Sequence, residues 1–147
     1  MVVVFVLEGA RYAVPLQATE RALRMVAISP LPGAPQMLAG VINLHGRVVP
    51  VVDLRRRLGL PPREYGSAAH LLVVKSPRRT LALPADEVLG LRAFPKGAVA
   101  PSERVTPGLG AVAGIAALPD GLVFIHDLEA FLTADEERGL DQALEAT

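Results

Sequence analysis

The chain carries one twenty-residue design twice: AGVINLHGRVVPVVDLRRRL, from Ala39 to Leu58, and AGIAALPDGLVFIHDLEAFL, from Ala113 to Leu132. At a constant offset of 74 positions, Ala39 matches Ala113, Gly40 Gly114, Leu44 Leu118, Val49 Val123, Asp53 Asp127, Leu54 Leu128 and Leu58 Leu132, without a gap. Apolar pairs such as Val41 with Ile115, Val48 with Leu122 and Val51 with Ile125 exchange side chains of similar volume, which packed cores tolerate best. Such a duplication within 147 residues restricts the fold to two similar units, each too small to bury much surface alone. The two must share a core.

Each copy reads strand, turn, strand, then one or two helical turns. Both halves also open on a hairpin. Val2 to Leu7 is followed by a turn at Gly9 and then YAVPL, and HLLVVK is followed by Ser76-Pro77 and TLALP, so that AVP at 13–15 returns as ALP at 82–84. Short strands punctuated by 13 Gly and 13 Pro predict an all-β duplication built as two small barrels, whose closure removes exposed edges. The boundary falls in GLPPREYGSAAH (59–70), giving a first barrel at 1–66 and a second at 67–132. FPKGAVAPSERVTPGLG (94–110) reads as a long loop inside the second. Asp53 and Asp127 stand where a strand gives way to a helical turn and are expected to cap it. In TADEERGLDQALEAT, Thr133 and Glu136 have capping-box spacing and Leu140 and Leu144 helical spacing, so 133–147 is expected to form a helix packed across the barrels.

Half the residues are hydrophobic, and 15 basic residues balance 15 acidic ones. A protein without net charge lacks the long-range field of a dedicated nucleic-acid or anionic-membrane binder, so its partners are read locally. With no cysteine, disulfides and thiolate metal sites are excluded, and a cytoplasmic setting is expected. MVVVFVL has no basic residue before it and meets Glu8 at once, which fits a strand better than a signal peptide. No apolar run approaches the roughly 20 residues that span a bilayer, so direct membrane insertion is not expected.

Catalytic patterns are missing from the sequence. His45, His70 and His126 lack metal-ligand spacing, and His126 and Asp127 are strand neighbours that face opposite ways. Asp53 and Asp127 sit among apolar residues, as caps do, rather than in the polar surroundings of a carboxylate dyad. No nucleophile elbow, P-loop or dinucleotide fingerprint exists, and no enzyme activity, metal or cofactor is expected. The densest basic stretch, Arg55 to Arg57 with Arg47 and Arg63 near it, supports an alternative reading as a small nucleic-acid-binding barrel. Few aromatics are available for base stacking, because Phe5, Tyr12, Tyr65, Phe94, Phe124 and Phe131 fall mostly on apolar strand positions.

GVINLHGRVVPVVDLRRRLGL resembles the signature of the CheW-type chemotaxis coupling proteins, G-V-x-N-L-R-G-x-x-x-P-V-x-D-L. It stands here as Gly40, Val41, Asn43, Leu44, His45, Gly46, Pro50, Val51, Asp53 and Leu54. The resemblance extends to the opening hairpin, ALPADEVLGL and the second copy of the repeat. It implies two intertwined five-stranded SH3-like β-barrels with short helical turns and a C-terminal helix. It also implies an adaptor that bridges a chemoreceptor's cytoplasmic tip and the regulatory domain of a CheA-type histidine kinase, recruited to receptor arrays at the inner face of the membrane. Within the family, a coupler of a non-motility chemosensory pathway is the alternative. Receptor contact is implied at Thr19, Glu20, Arg21, Asn43, Leu44, His45 and Gly46, and kinase contact at Val88, Leu89, Leu118 and Leu122. His45 replaces the family's usual arginine and loses its bidentate fork of donors; Arg47 is expected to substitute.

Overall fold

In the computed structural model, residues 1–95, 97–101 and 112–146 are described. Hairpin β1 (Val2–Leu7) and β2 (Ala10–Pro15) is followed by β3 (Thr19–Arg24) and the hairpin β4 (Leu38–Leu44) and β5 (Arg47–Val52). After α1 (Leu54–Arg57), the second half runs β6 (His70–Lys75), β7 (Thr80–Ala85), β8 (Glu87–Arg92), β9 (Val99–Pro101), β10 (Val112–Leu118) and β11 (Gly121–His126). A 3-10 turn at Leu128–Ala130 and the helix α2 (Ala134–Glu145) follow.

The strands form two sheets, ordered β8-β1-β2-β11-β10-β9 and β3-β6-β7-β5-β4. Each sheet takes its hairpin from the other half of the chain. A boundary near 66 therefore separates two copies of the repeat but not two sheets, and neither copy could complete its barrel alone. This exchange is what intertwines the barrels.

The duplication extends to the hydrogen-bond register. Parallel pairing of Ile125 with Ala13 joins β11 to β2, and the equivalent pairing of Val51 with Ala82 joins β5 to β7. The β4–β5 register shifts between Leu38 and Gly40, and the β10–β11 register between Val112 and Gly114. Further bulges stand at Thr19/Arg21 against β6 and at Val4/Phe5 against β8. Even the sixth strand has a counterpart: β9 pairs Ala100 with Ile115, and a single bridge pairs Ser29 with Val41.

Gly40 explains one repeated residue. The Ser29 segment crosses so closely that a Cβ on Gly40 would lie 2.3 Å from the Ser29 carbonyl oxygen, and its φ of 145° disfavours any side chain. At Gly114 the same approach is looser, 3.0 Å from the Ala100 oxygen.

Three apolar clusters hold the molecule together. The shared one collects Phe5, Leu7, Tyr12, Leu54, Leu72, Leu83, Phe131 and Leu140 from both halves. Inside the barrel of the five-stranded sheet lie Ile42, Leu44, Val49, Val73 and Ala82. Inside the other lie Val4, Ala13, Ala116 and Val123, with Leu118 packed against them. These are matching positions, so Ala116 leaves the second barrel with less apolar bulk than Ile42 gives the first.

Asp53 caps α1, its carboxylate accepting from the N–H groups of Arg55 and Arg56. Asp127 holds the equivalent place, and its carbonyl accepts from Ala130 N at 3.0 Å. Thr133 and Glu136 close the capping box that their spacing predicts. The helix α2 reaches both halves: Glu136 pairs with Arg57, Glu137 with Arg79 at 2.7 Å, and Asp141 also with Arg79. Its own Leu140 and Ala143 are the apolar residues it buries.

Candidate functional site

The β4–β5 hairpin ends in a two-residue turn, His45 and Gly46, with φ of 52° and 87°. Two successive left-handed residues match the twist of the flanking strands, and Asn43 Oδ1 fixes the turn by accepting from Gly46 N at 2.8 Å. β3 supplies the facing residues. Arg47 donates to both Glu20 carboxylate oxygens at 3.2 Å and to Thr80 Oγ1 at 3.1 Å. Arg21 Nη1 lies 3.3 Å from His45 Nε2; a guanidinium can only donate, so in this contact Nε2 is the acceptor and the proton sits on Nδ1.

Glu20, Arg21, Asn43, His45, Gly46 and Arg47 therefore share one surface. Two of the sequence-derived residues stand apart from it. Thr19 turns its hydroxyl to the Pro15 carbonyl at 2.9 Å, and Leu44 is buried in the first barrel's core.

The equivalent hairpin of the other barrel has different chemistry. Asp120, which matches Gly46, accepts from Arg92 at 2.8 and 2.9 Å and from Arg11 at 2.9 Å. Arg92 foremost, with Arg11 adding to it, holds the Asp120 carboxyl well below the usual carboxylate range. Leu89 is 50% exposed and Leu122 53%. Val88 packs against the shared core and Leu118 against the second barrel's core, because each occupies an inward position of its strand. Only Leu89 and Leu122 of that group present open apolar surface, and they lie on β8 and β11 with two strands between them.

Sequence reasoning missed a buried ionic joint. Arg55, 2% exposed, donates to Glu8 at 2.6 Å, to both oxygens of Asp86 at 3.1 and 3.0 Å, and to the Pro61 carbonyl at 3.3 Å. Its guanidinium lies 5.4 Å from the centre of the Tyr65 ring. Burial alone would lower the Arg55 pKa, but the bonds to Glu8 and Asp86 more than reverse that and raise it. Burial likewise pushes the Tyr65 phenol up to about 12. The signal was present in the Arg55–Arg57 run, because a helical turn aims successive residues about 100° apart and one of three must face inward.

The rest of the basic stretch is engaged too. Arg56 pairs with Asp53 and with the Gln36 carbonyl, Arg57 with Glu136, and Arg63 with Glu8. This row of arginines is compensated internally, which removes the basis of the nucleic-acid reading. His126 is buried and stacks on Tyr12 at 5.1 Å and Phe5 at 5.6 Å, as a core residue. Among the described residues no His, Cys, Asp and Glu cluster could hold a metal ion, and no helix is long and apolar enough to cross a membrane.

Two interlocked barrels that expose differently furnished hairpin ends define an interaction module, a protein whose sites are surfaces. The family model of the CheW-like domain matches residues 1–136. The chain belongs to the CheW-like domain family, one of scaffold and coupling proteins. It is similar to the chemotaxis protein CheW of Bacillus subtilis (strain 168), 33% identical over 72 residues, a match that spans 49% of this chain and 46% of that one. The chain thus aligns with about half the length of that relative. The probable chemotaxis protein CheW of Rhizobium etli is 30% identical over 109 residues, covering 72% and 70% of the two chains. Among solved structures, the scaffolding protein TtCheW from Thermoanaerobacter tengcongensis superposes with a TM-score of 0.83 at 26% identity, covering 92% of this chain and 93% of that one.

Proposed function

We propose that this chain is a non-enzymatic chemotaxis adaptor that couples chemoreceptors to a CheA-type histidine kinase at the cytoplasmic side of the membrane. The observation that carries this reading is the contrast between the barrels: one backbone design, presented twice, ends in the Glu20–Arg47 and Arg21–His45 contacts beside exposed Val48 on one side, and in an arginine clasp beside exposed Leu89 and Leu122 on the other. A coupler needs two faces that do not compete, and electrostatic difference between them supplies that selectivity.

The receptor contact is assigned to Glu20, Arg21, Asn43, His45, Gly46 and Arg47. Arg21 meets only the imidazole of His45 there, so positive charge for a carboxylate partner comes from Arg21, while Arg47 keeps the Glu20 carboxylate from repelling it. The kinase contact is assigned to Leu89 and Leu122, with Asp120 holding the hairpin rigid through Arg11 and Arg92. A fixed hairpin loses less conformational freedom on docking, which favours affinity without added area.

Calorimetry with the regulatory domain of the kinase and with a receptor-tip fragment tests the assignment. Leu122→Glu is expected to weaken kinase binding at least tenfold and leave the receptor untouched, and Arg47→Ala to do the reverse. Both partners binding both variants as tightly as the parent would overturn it.

A further inference from the structure

The near-symmetry of the two halves relates α1 to the 3-10 turn Leu128–Ala130 and the β1–β2 turn to the β6–β7 turn. At the first place, the chain fills the space between helix and turn with its own connecting segment. Arg63 reaches Glu8, the Pro61 carbonyl accepts from Arg55, and Leu60 and Tyr65 pack onto the shared core, while Leu58, like its mate Leu132, forms part of the wall.

At the second place the chain departs as α2, and a cavity of about 280 Å³ remains, walled chiefly by Pro77, Leu81, Leu128, Phe131, Leu132 and Ala134. Its polar neighbours are satisfied: Ser76 Oγ bonds to the Arg79 backbone and Glu137 to the Arg79 guanidinium. The volume lies just below the ~300–1,000 Å³ of small-molecule sites and suits the anchor side chain of a peptide.

Charge at the mouth is opposite to that at the filled site. Where the first turn presents Glu8, the second presents Pro77 and Arg78, with Lys75 one residue before Ser76. Arg78 lines the cavity, is exposed and forms no ion pair among the described residues, its charge acting only through space on Asp141.

We propose that this cavity is a third docking site, separate from both hairpin ends. Its occupant is an extended segment of a partner protein, seated as the chain's own residues 60–65 are seated across the symmetry. One large apolar or aromatic side chain fills the cavity, and an acidic residue beside it faces Arg78.

The probe is a fluorescein-labelled peptide copying residues 58–66 with aspartate in place of Arg63. Anisotropy should show saturable binding, with amide shifts centred on Ser76, Arg78 and Ala134. Arg78→Glu, on an exposed turn, should weaken binding at least fivefold, and Ala134→Trp, which plugs the cavity, should abolish it. Thermal melts confirm that both variants fold, and both should bind kinase and receptor fragments as the parent does. Absence of saturable binding, indifference to Arg78→Glu, or shifts centred on Glu8 and Asp86 would overturn the proposal. Loss of kinase or receptor binding in Arg78→Glu would merge this site with the hairpin ends and overturn its independence.

Discussion

The two barrels share strand order, parallel junctions and bulge positions, and both expose an apolar residue at one matched site, Val48 and Leu122, yet they differ at the bulges and at the hairpin turns. Glu20 and Leu89 are equivalent residues, each skipped by the register of its bulge. Gly46 matches Asp120, Thr80 matches Arg11 and Leu23 matches Arg92, so one hairpin end has a guanidinium clasp where the other has a bare glycine turn. A residue left out of the ladder can change chemistry without disturbing register. Duplication has therefore held the backbone and released the bulges and the turns of the hairpins.

The sharpest test of backbone equivalence uses the repeated glycines. Gly40→Ala sets a methyl group against the Ser29 carbonyl at an unfavourable φ and should cost about 4 kcal/mol, near the limit for single substitutions. Gly114→Ala meets a looser contact at an ordinary φ and should cost about 1 kcal/mol. Urea midpoints at unchanged m-value measure both, and equal losses would show that the crossing segments are equally tight.

The ionic joints break the symmetry next. Arg55→Ala strands Glu8 and Asp86 around a buried gap and should cost about 3 kcal/mol. Arg79→Ala releases Glu137 and the more exposed Asp141 and should cost about 1–2 kcal/mol. A larger loss at Arg79 would make the seat of α2 on the β6–β7 turn, rather than the Arg55 joint, the stronger of the two.

How much of this was legible depended on whether the determining signal was local. Offsets of 74 in the repeat and 69 in the hairpins, the Asp53 cap and the Thr133–Glu136 box were readable because turn chemistry and spacing act over a few residues. The hairpin exchange was not readable from spacing, since β1–β2 has the same local pattern whichever sheet receives it. Nor did the sequence distinguish Arg55 from Arg56 and Arg57: which of three identical residues is buried depends on Glu8 and Asp86, 47 and 31 positions away. Leu44 and Leu118 show the converse case, a motif leucine assigned to a partner surface in each copy although the strand alternation turns both inward.

Tyr65 gives a smaller, pH-dependent measure of the same asymmetry, because the second half has no counterpart of the segment that carries it. Its phenol ionises near 10 in the unfolded chain and only at about 12 in the folded one. Between those values the unfolded state has lost the proton that the folded state keeps, so stability falls as pH rises from about 10 and levels off above about 12. The loss should be about 1–2 kcal/mol relative to Tyr65→Phe, in which this contribution disappears. Identical alkaline profiles for the two proteins would place the phenol in water and loosen the connection from the joint.

The smallest effect on stability should come from exchanging the bulge residues. Glu20 and Leu89 are both exposed, and the double variant Glu20→Leu, Leu89→Glu should stay within about 0.5 kcal/mol of the parent. Arg47 loses its carboxylate partner in that variant, but exposed ion pairs of this kind are worth about 0–1 kcal/mol. Binding should respond differently: a carboxylate placed on the apolar face opposes kinase docking, and an uncompensated Arg47 changes the charge offered to a receptor. Calorimetry on the double variant should therefore show both affinities reduced, kinase more than receptor. Partners that exchanged faces would mean that the bulge residues alone carry the specificity. Partners that bound as before would place it in the hairpin turns, where Asp120, clamped by two arginines, stands in place of Gly46, and Pro119 in place of His45, which meets one arginine.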